Sequence, residues 1–184
     1  MSYRGLHFDS GTKAKLKLLY PDFAVRIIRV YVDMWEKFSI QMRLDEGIRT
    51  FQRQRELFAQ GRDGKPGAVV THAPPGFSLH HYGVACDSCR KGKEPYNVPW
   101  EEFAQLSIAH GLRPGYYWPG KKQDKPHLEL AYGGMGVEQM ANLYQNGGLT
   151  SVWAEFDKVR GVQAGSEWYG PQKAVRILNL GDLS

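Results

Sequence analysis

Two separated segments carry the residues that most restrict how this chain can fold. One is Ser78-Leu79-His80-His81-Tyr82-Gly83-Val84-Ala85-Cys86-Asp87; the other is Asp124-Lys125-Pro126-His127-Leu128-Glu129-Leu130. His80, Asp87 and His127 make up a donor set of two imidazoles and one carboxylate. Structural zinc sites are closed by four protein ligands and are usually rich in Cys, whereas catalytic ones use three and leave the fourth position open to water. The set therefore reads as one zinc site with an open position, and the fold must bring both segments to it. His80 and Asp87 are seven positions apart, too far for neighbours on one helix face. That spacing suits presentation from a loop and a strand, with Gly83 permitting a turn. Asp124, three positions before His127, is the candidate general base. A chain with such a site is expected to be a hydrolase.

The 184 residues fit one domain with room for an appendage. Hydrophobic residues make up 42% of the chain and aromatics 12%, enough for a packed core rather than disorder. No apolar run approaches the roughly 18 residues of a membrane helix, so no membrane span is expected. The first nine residues carry no apolar signal-peptide core, so synthesis in the cytoplasm is expected, with action elsewhere only after release. The net charge of +5 favours anionic partners. No Lys/Arg block or RNA-binding aromatic motif accompanies it, so nucleic acid is not the expected partner. Cys86 and Cys89 are half of a four-Cys zinc site without its other half, and read as structural thiols.

Periodicity sketches the elements. Ser10 or Thr12 is expected to cap a first helix, which Pro21 ends. Phe23, Ile27, Val30, Tyr31, Met34 and Phe38 then form the apolar stripe of a second helix. A short strand is expected within residues 39–48, then a helix capped by Thr50 and ended near Gly61. Short strands are expected at Ala68–Thr71 and Gly83–Ser88. Pro99 opens a helix with Trp100, Phe103, Ala104 and Ile108 on one face. Residues 126–132 alternate as a strand, with His127 and Glu129 on one face and Leu128 and Leu130 on the other. Glu129 is a candidate for orienting a ligand. His7, His72, His81 and His110 read as ordinary surface or core histidines. A largely helical stretch follows, carrying Val137, Met140, Ala141 and Tyr144 and then Trp153 and Phe156. Trp168, Tyr169 and the apolar run Val175 to Leu180 close the chain.

The pattern Ser-x-His-x-x-Gly-x-Ala-x-Asp at Ser78–Asp87, followed by Asp-x-Pro-His at Asp124–His127, resembles the LAS zinc peptidases. These comprise D-alanyl-D-alanine carboxypeptidases and dipeptidases, and L-alanyl-D-glutamate endopeptidases of phage endolysins. The block Gly47-Ile48-Arg49-Thr50 to Gln60-Gly61-Arg62 is similar to a further family motif, and the likeness covers roughly residues 10–132. It implies a small α+β domain, with helices packed on an antiparallel sheet as in the hedgehog and D-Ala-D-Ala peptidase folds. It implies zinc bound by His80, Asp87 and His127, with Asp124 as proton carrier. Arg49 would act on the oxyanion or a substrate carboxylate, and Ser78 and Gln54 would position substrate groups. The stretch Arg113-Pro114-Gly115-Tyr116-Tyr117-Trp118 departs from the family pattern, so the cleft wall differs.

The division expected is a zinc peptidase domain at 1–132 and a mostly helical extension at 133–184, offering contact to a wall or a protein. The expected function is an endolysin-type, zinc-dependent peptidoglycan peptidase cutting stem peptides at L-Ala-D-Glu. A D-Ala-D-Ala carboxypeptidase is the alternative. In another class stands a non-catalytic, zinc-stabilised binding or phage structural module, against which Asp124 and Arg49 argue.

Overall fold

The structure is a computed structural model that describes residues 5–130 and 135–159. Helix α1 (Ser10–Leu16) is capped not by Ser10 or Thr12 but by Asp9, whose Oδ1 accepts the Thr12 N–H at 2.7 Å. Thr12 lies buried one turn in, where its hydroxyl accepts the Leu44 N–H at 3.2 Å. Helix α2 (Pro21–Phe38) starts with Pro21 in its first turn, where a missing N–H costs nothing. Its stripe is buried from Phe23 to Met34, while Phe38 at the helix end is exposed. Each fully buried side chain of this kind contributes about 1.5–3 kcal/mol.

Strand β1 (Met42–Glu46) leads into α3 (Phe51–Ala59), capped by Thr50, whose side chain accepts the Arg53 N–H. After Gly61 the chain doubles back. A Cβ on Gly61 would sit 2.7 Å from Val69 N and 2.8 Å from Ala68 C, so only glycine lets the returning segment pass. The expected strand at Ala68–Thr71 does not form. Ala68, Val69 and Val70 are exposed, and the loop is held by side chains instead: Arg62 donates to Thr71 O at 2.9 Å, and Gln54 donates to Ala73 O at 2.7 Å.

A 3-10 turn at Leu79–Tyr82 precedes β2 (Ala85–Arg90). Next come α4 (Trp100–Ala109), β3 (Leu112–Pro114) and β4 (His127–Leu130). On α4 the buried face is Phe103, Ala104, Leu106 and Ser107; Ile108, expected there, is exposed. The sheet runs β1-β2-β4-β3, antiparallel throughout, with α2 and α4 contributing to the core against it. The architecture is thus α+β, a small antiparallel sheet with packed helices. Cys86 and Cys89 are buried free thiols, and burial first, then Asp87, pushes the Cys86 thiol up. An inert structural role follows.

Helix α5 (Val137–Val159) is two helical stretches kinked at Gly147 and Gly148. Val152 and Phe156 enter the main core, Tyr20 donates to Asp157 at 2.7 Å, and Trp153 Nε1 donates to Tyr82 O at 2.9 Å. Tyr144 lies against Phe51 and Tyr82. The described part of the C-terminal stretch thereby braces the turn that carries His80. Trp168, Tyr169 and Val175–Leu180 lie outside the described residues. No described helix is long and apolar enough to cross a membrane.

Candidate metal centre

Sheet register brings the separated segments together. β2 and β4 pair antiparallel with Asp87 directly opposite His127, and side chains at such positions stand about 4.5–5.5 Å apart at Cβ. His127 Nδ1 lies 3.0 Å from Asp87 Oδ1. The 3-10 turn supplies His80, whose Nε2 is 3.5 Å from Asp87 Oδ2. One donor atom from each of the three lies within 4.8 Å of the others. His80 gives its other nitrogen, Nδ1, to the Gly47 carbonyl at 2.8 Å. A proton held at Nδ1 leaves the Nε2 lone pair aimed at the group. The donor set fits a divalent ion such as zinc: three convergent N and O donors, two of them nearly buried.

The electrostatics match. Burial alone would raise the Asp87 carboxyl, but hydrogen bonds from His127 and His80 hold it well below the usual carboxylate range. Burial alone would lower His127, yet its bonds to Asp87 and Glu129 push it up to about 9. A metal held by His127 competes with the proton that these carboxylates favour there.

Arg49, at the entry to α3, ties these elements together. Its Nη2 donates to Glu46 and, at 3.3 Å, to Asp87 Oδ2; its Nη1 donates to Gln54 Oε1 at 2.9 Å. Its backbone N–H donates to His80 O at 3.2 Å, and its carbonyl accepts from His81 Nδ1 at 2.8 Å. Gln54 is fully buried, so it reaches the site through Arg49. Ser78 is also buried; it opens the 3-10 turn, and its carbonyl accepts the His81 N–H at 3.0 Å. His81 stacks on Phe51, with ring centroids 4.1 Å apart, and His110 pairs with Asp33 at 2.9 Å. Both have structural employment away from the donor set.

Asp124 lies on the last loop before β4. Its carbonyl accepts the His127 N–H at 3.2 Å, and its own N–H donates to Gly115 O at 3.0 Å. Although the residue is exposed, its carboxyl is pushed upward, first by desolvation and then by the charge of Asp87. An upward shift suits a carboxylate that must both take and give a proton near neutrality.

Three contributors are not visible as sequence motifs. Glu46 reaches Arg49 because β1 carries a bulge between Leu44 and Glu46, which sets Glu46 opposite Asp87; bulges re-aim side chains in this way. Trp118 packs against His127, with ring centroids 4.9 Å apart. Gly115 leaves room for the last segment, since a Cβ there would lie 2.5 Å from Asp124 O and 3.1 Å from His127 Cβ. Gly115→Ala is expected to displace Asp124 and His127 together and to lower kcat by roughly 10²-fold, the scale of a 1 Å misplacement. Steady-state kinetics beside a circular dichroism melt check this.

Fold and site together define an α+β domain built around a two-histidine, one-aspartate centre. The family model described as D-alanyl-D-alanine carboxypeptidase (VanY) matches residues 23–132. The chain belongs to this family. It is also 34% identical, over 105 residues, to the peptidoglycan L-alanyl-D-glutamate endopeptidase CwlK of Bacillus subtilis (strain 168). That match takes in 50% of this chain and spans 62% of the relative's length. The crystal structure of the Serratia marcescens L-Ala D-Glu endopeptidase ChiX is similar, at 22% identity and a TM-score of 0.46, covering 69% of this chain and 91% of that one.

Proposed function

We propose that the protein is a zinc-dependent peptidoglycan peptidase that hydrolyses stem peptides at the L-Ala-D-Glu bond. The observation that carries the reading is the convergence of His80, Asp87 and His127 beside an upward-shifted Asp124. A zinc ion held by the three would act as a Lewis acid on the scissile carbonyl and lower the pKa of water. The remaining chemistry belongs to the chain. Asp124 takes a proton from the attacking water and delivers it to the leaving amine. Arg49, held in place by Gln54 and Glu46, supplies positive charge where the oxyanion develops or where a substrate carboxylate binds. Its planar fork suits either task. Ser78 and Gln54 act as positioning groups.

The choice of bond is supported by the likeness to the Bacillus relative. The family description favours a second reading, removal of a terminal D-Ala. We propose an endolysin-type setting, with action on the wall after release; the endolysin-like Arg49–Arg62 block supports this and the L-Ala-D-Glu bond. The C-terminal stretch is proposed as a contact to wall or protein.

Mass spectrometry of purified peptidoglycan digested with the zinc-loaded protein tests this. New L-Ala carboxyl ends on the glycan and peptides beginning with D-Glu are expected. Released D-Ala would transfer the assignment to the carboxypeptidase. Intact peptide with zinc bound would leave the non-catalytic binding module.

A further inference from the structure

Glu129 follows His127 by two positions on β4 and projects from the same face of the strand. Its Oε1 lies 3.4 Å from His127 Nε2. Its Oε2 faces the Arg113 guanidinium at 3.8 Å. Arg113 is the residue directly opposite on β3, so register alone brings the two together. The Glu129 side chain is only 12% exposed against 64% for Arg113. A carboxylate so sheltered is expensive unless paired, and its two partners are the imidazole and the guanidinium.

The two histidines of the centre are presented in opposite senses. His80 commits Nδ1 to a backbone carbonyl and turns Nε2 inward. His127 turns Nδ1 toward Asp87 and Nε2 outward to Glu129. A neutral imidazole has one lone pair to offer, and the partner of its other nitrogen decides which. We propose that Glu129 is a positioning residue that fixes His127 as its Nε2–H tautomer, making Nδ1 the metal donor. Arg113, across the ladder, holds the carboxylate in that pose. The assignment rests on the reading of His80, Asp87 and His127 as metal ligands. A carboxylate in this place also makes the imidazole a better electron donor, which the carbonyl on His80 does less strongly.

The test is a titration of Zn2+ into the metal-free full chain against a chromophoric chelator, for the unsubstituted protein, Glu129→Ala and Glu129→Gln. It is joined by long-range proton–nitrogen NMR of the zinc-loaded, unsubstituted protein. Glu129→Ala is expected to weaken zinc by about 10–100-fold. Glu129→Gln, whose amide oxygen still accepts from Nε2–H, should recover most of that loss. The NMR spectrum should show the His127 proton on Nε2. Zinc affinity unchanged in Glu129→Ala, or a proton on Nδ1, would overturn the assignment of Glu129 alone. Failure of the unsubstituted protein to bind zinc would overturn the metal centre and this assignment with it.

Discussion

Asp124→Asn is expected to lower kcat on stem-peptide substrate by about 10²–10⁴-fold, the range for loss of a positioned general base, while zinc affinity stays near that of the unsubstituted protein. The two effects separate because Asp124 is not among the three convergent donors. Asn keeps the size and the loop geometry, including the backbone bonds to Gly115 and His127, but its amide cannot accept and release a proton. The upward shift of the Asp124 carboxyl makes it a stronger base toward the attacking water than an ordinary carboxylate, and lets it hold the proton until the amine leaves. Single-turnover kinetics with a parallel zinc titration measure both quantities. Turnover at the unsubstituted rate would remove Asp124 from the chemistry.

The second large effect is expected from His80→Ala. It deletes one of three donors and also strips the Gly47 carbonyl of its hydrogen bond. Loss of zinc affinity should exceed the roughly 100-fold that removing an outer partner costs, with hydrolysis falling to background. A buried acceptor left unpaired costs about 1–3 kcal/mol, so the metal-free variant should also melt earlier than the metal-free parent. Chelator competition and thermal melts of the metal-free proteins check the two parts separately. Zinc binding of parental strength in this variant would mean that the ion sits elsewhere.

Much of this architecture is legible in the sequence where local chemistry decides. The α2 stripe, the Thr50 cap and the alternation of His127 to Leu130 each depend on residues within a turn or a strand of one another. The meeting of His80, Asp87 and His127 is legible for a different reason, since few residue types can hold a metal. Where several local solutions compete, the sequence misleads. Asp9, Ser10 and Thr12 all have capping side chains, and the winner was settled by Thr12 having a second use against Leu44. Val69 and Val70 carry strand propensity, but they join no strand and stay exposed, and Gln54 and Arg62 tether the segment as a loop. Ile108 fits the α4 stripe, yet the helix turns Leu106 and Ser107 to the core. What surrounds the donors was the least visible part. Glu46 arrives through a bulge, Arg113 faces Glu129 through register, and Gly115 is required by a close approach from a segment many residues later.

One measurement reaches the central claim most directly: zinc titrated into metal-free protein while stem-peptide hydrolysis is followed in the same samples. Hydrolysis should rise in step with occupancy and level off at one zinc per chain, with the Asp124→Asn protein filling to the same stoichiometry in silence. Full hydrolysis in rigorously metal-free protein, or a plateau unrelated to occupancy of a single site, would contradict the account.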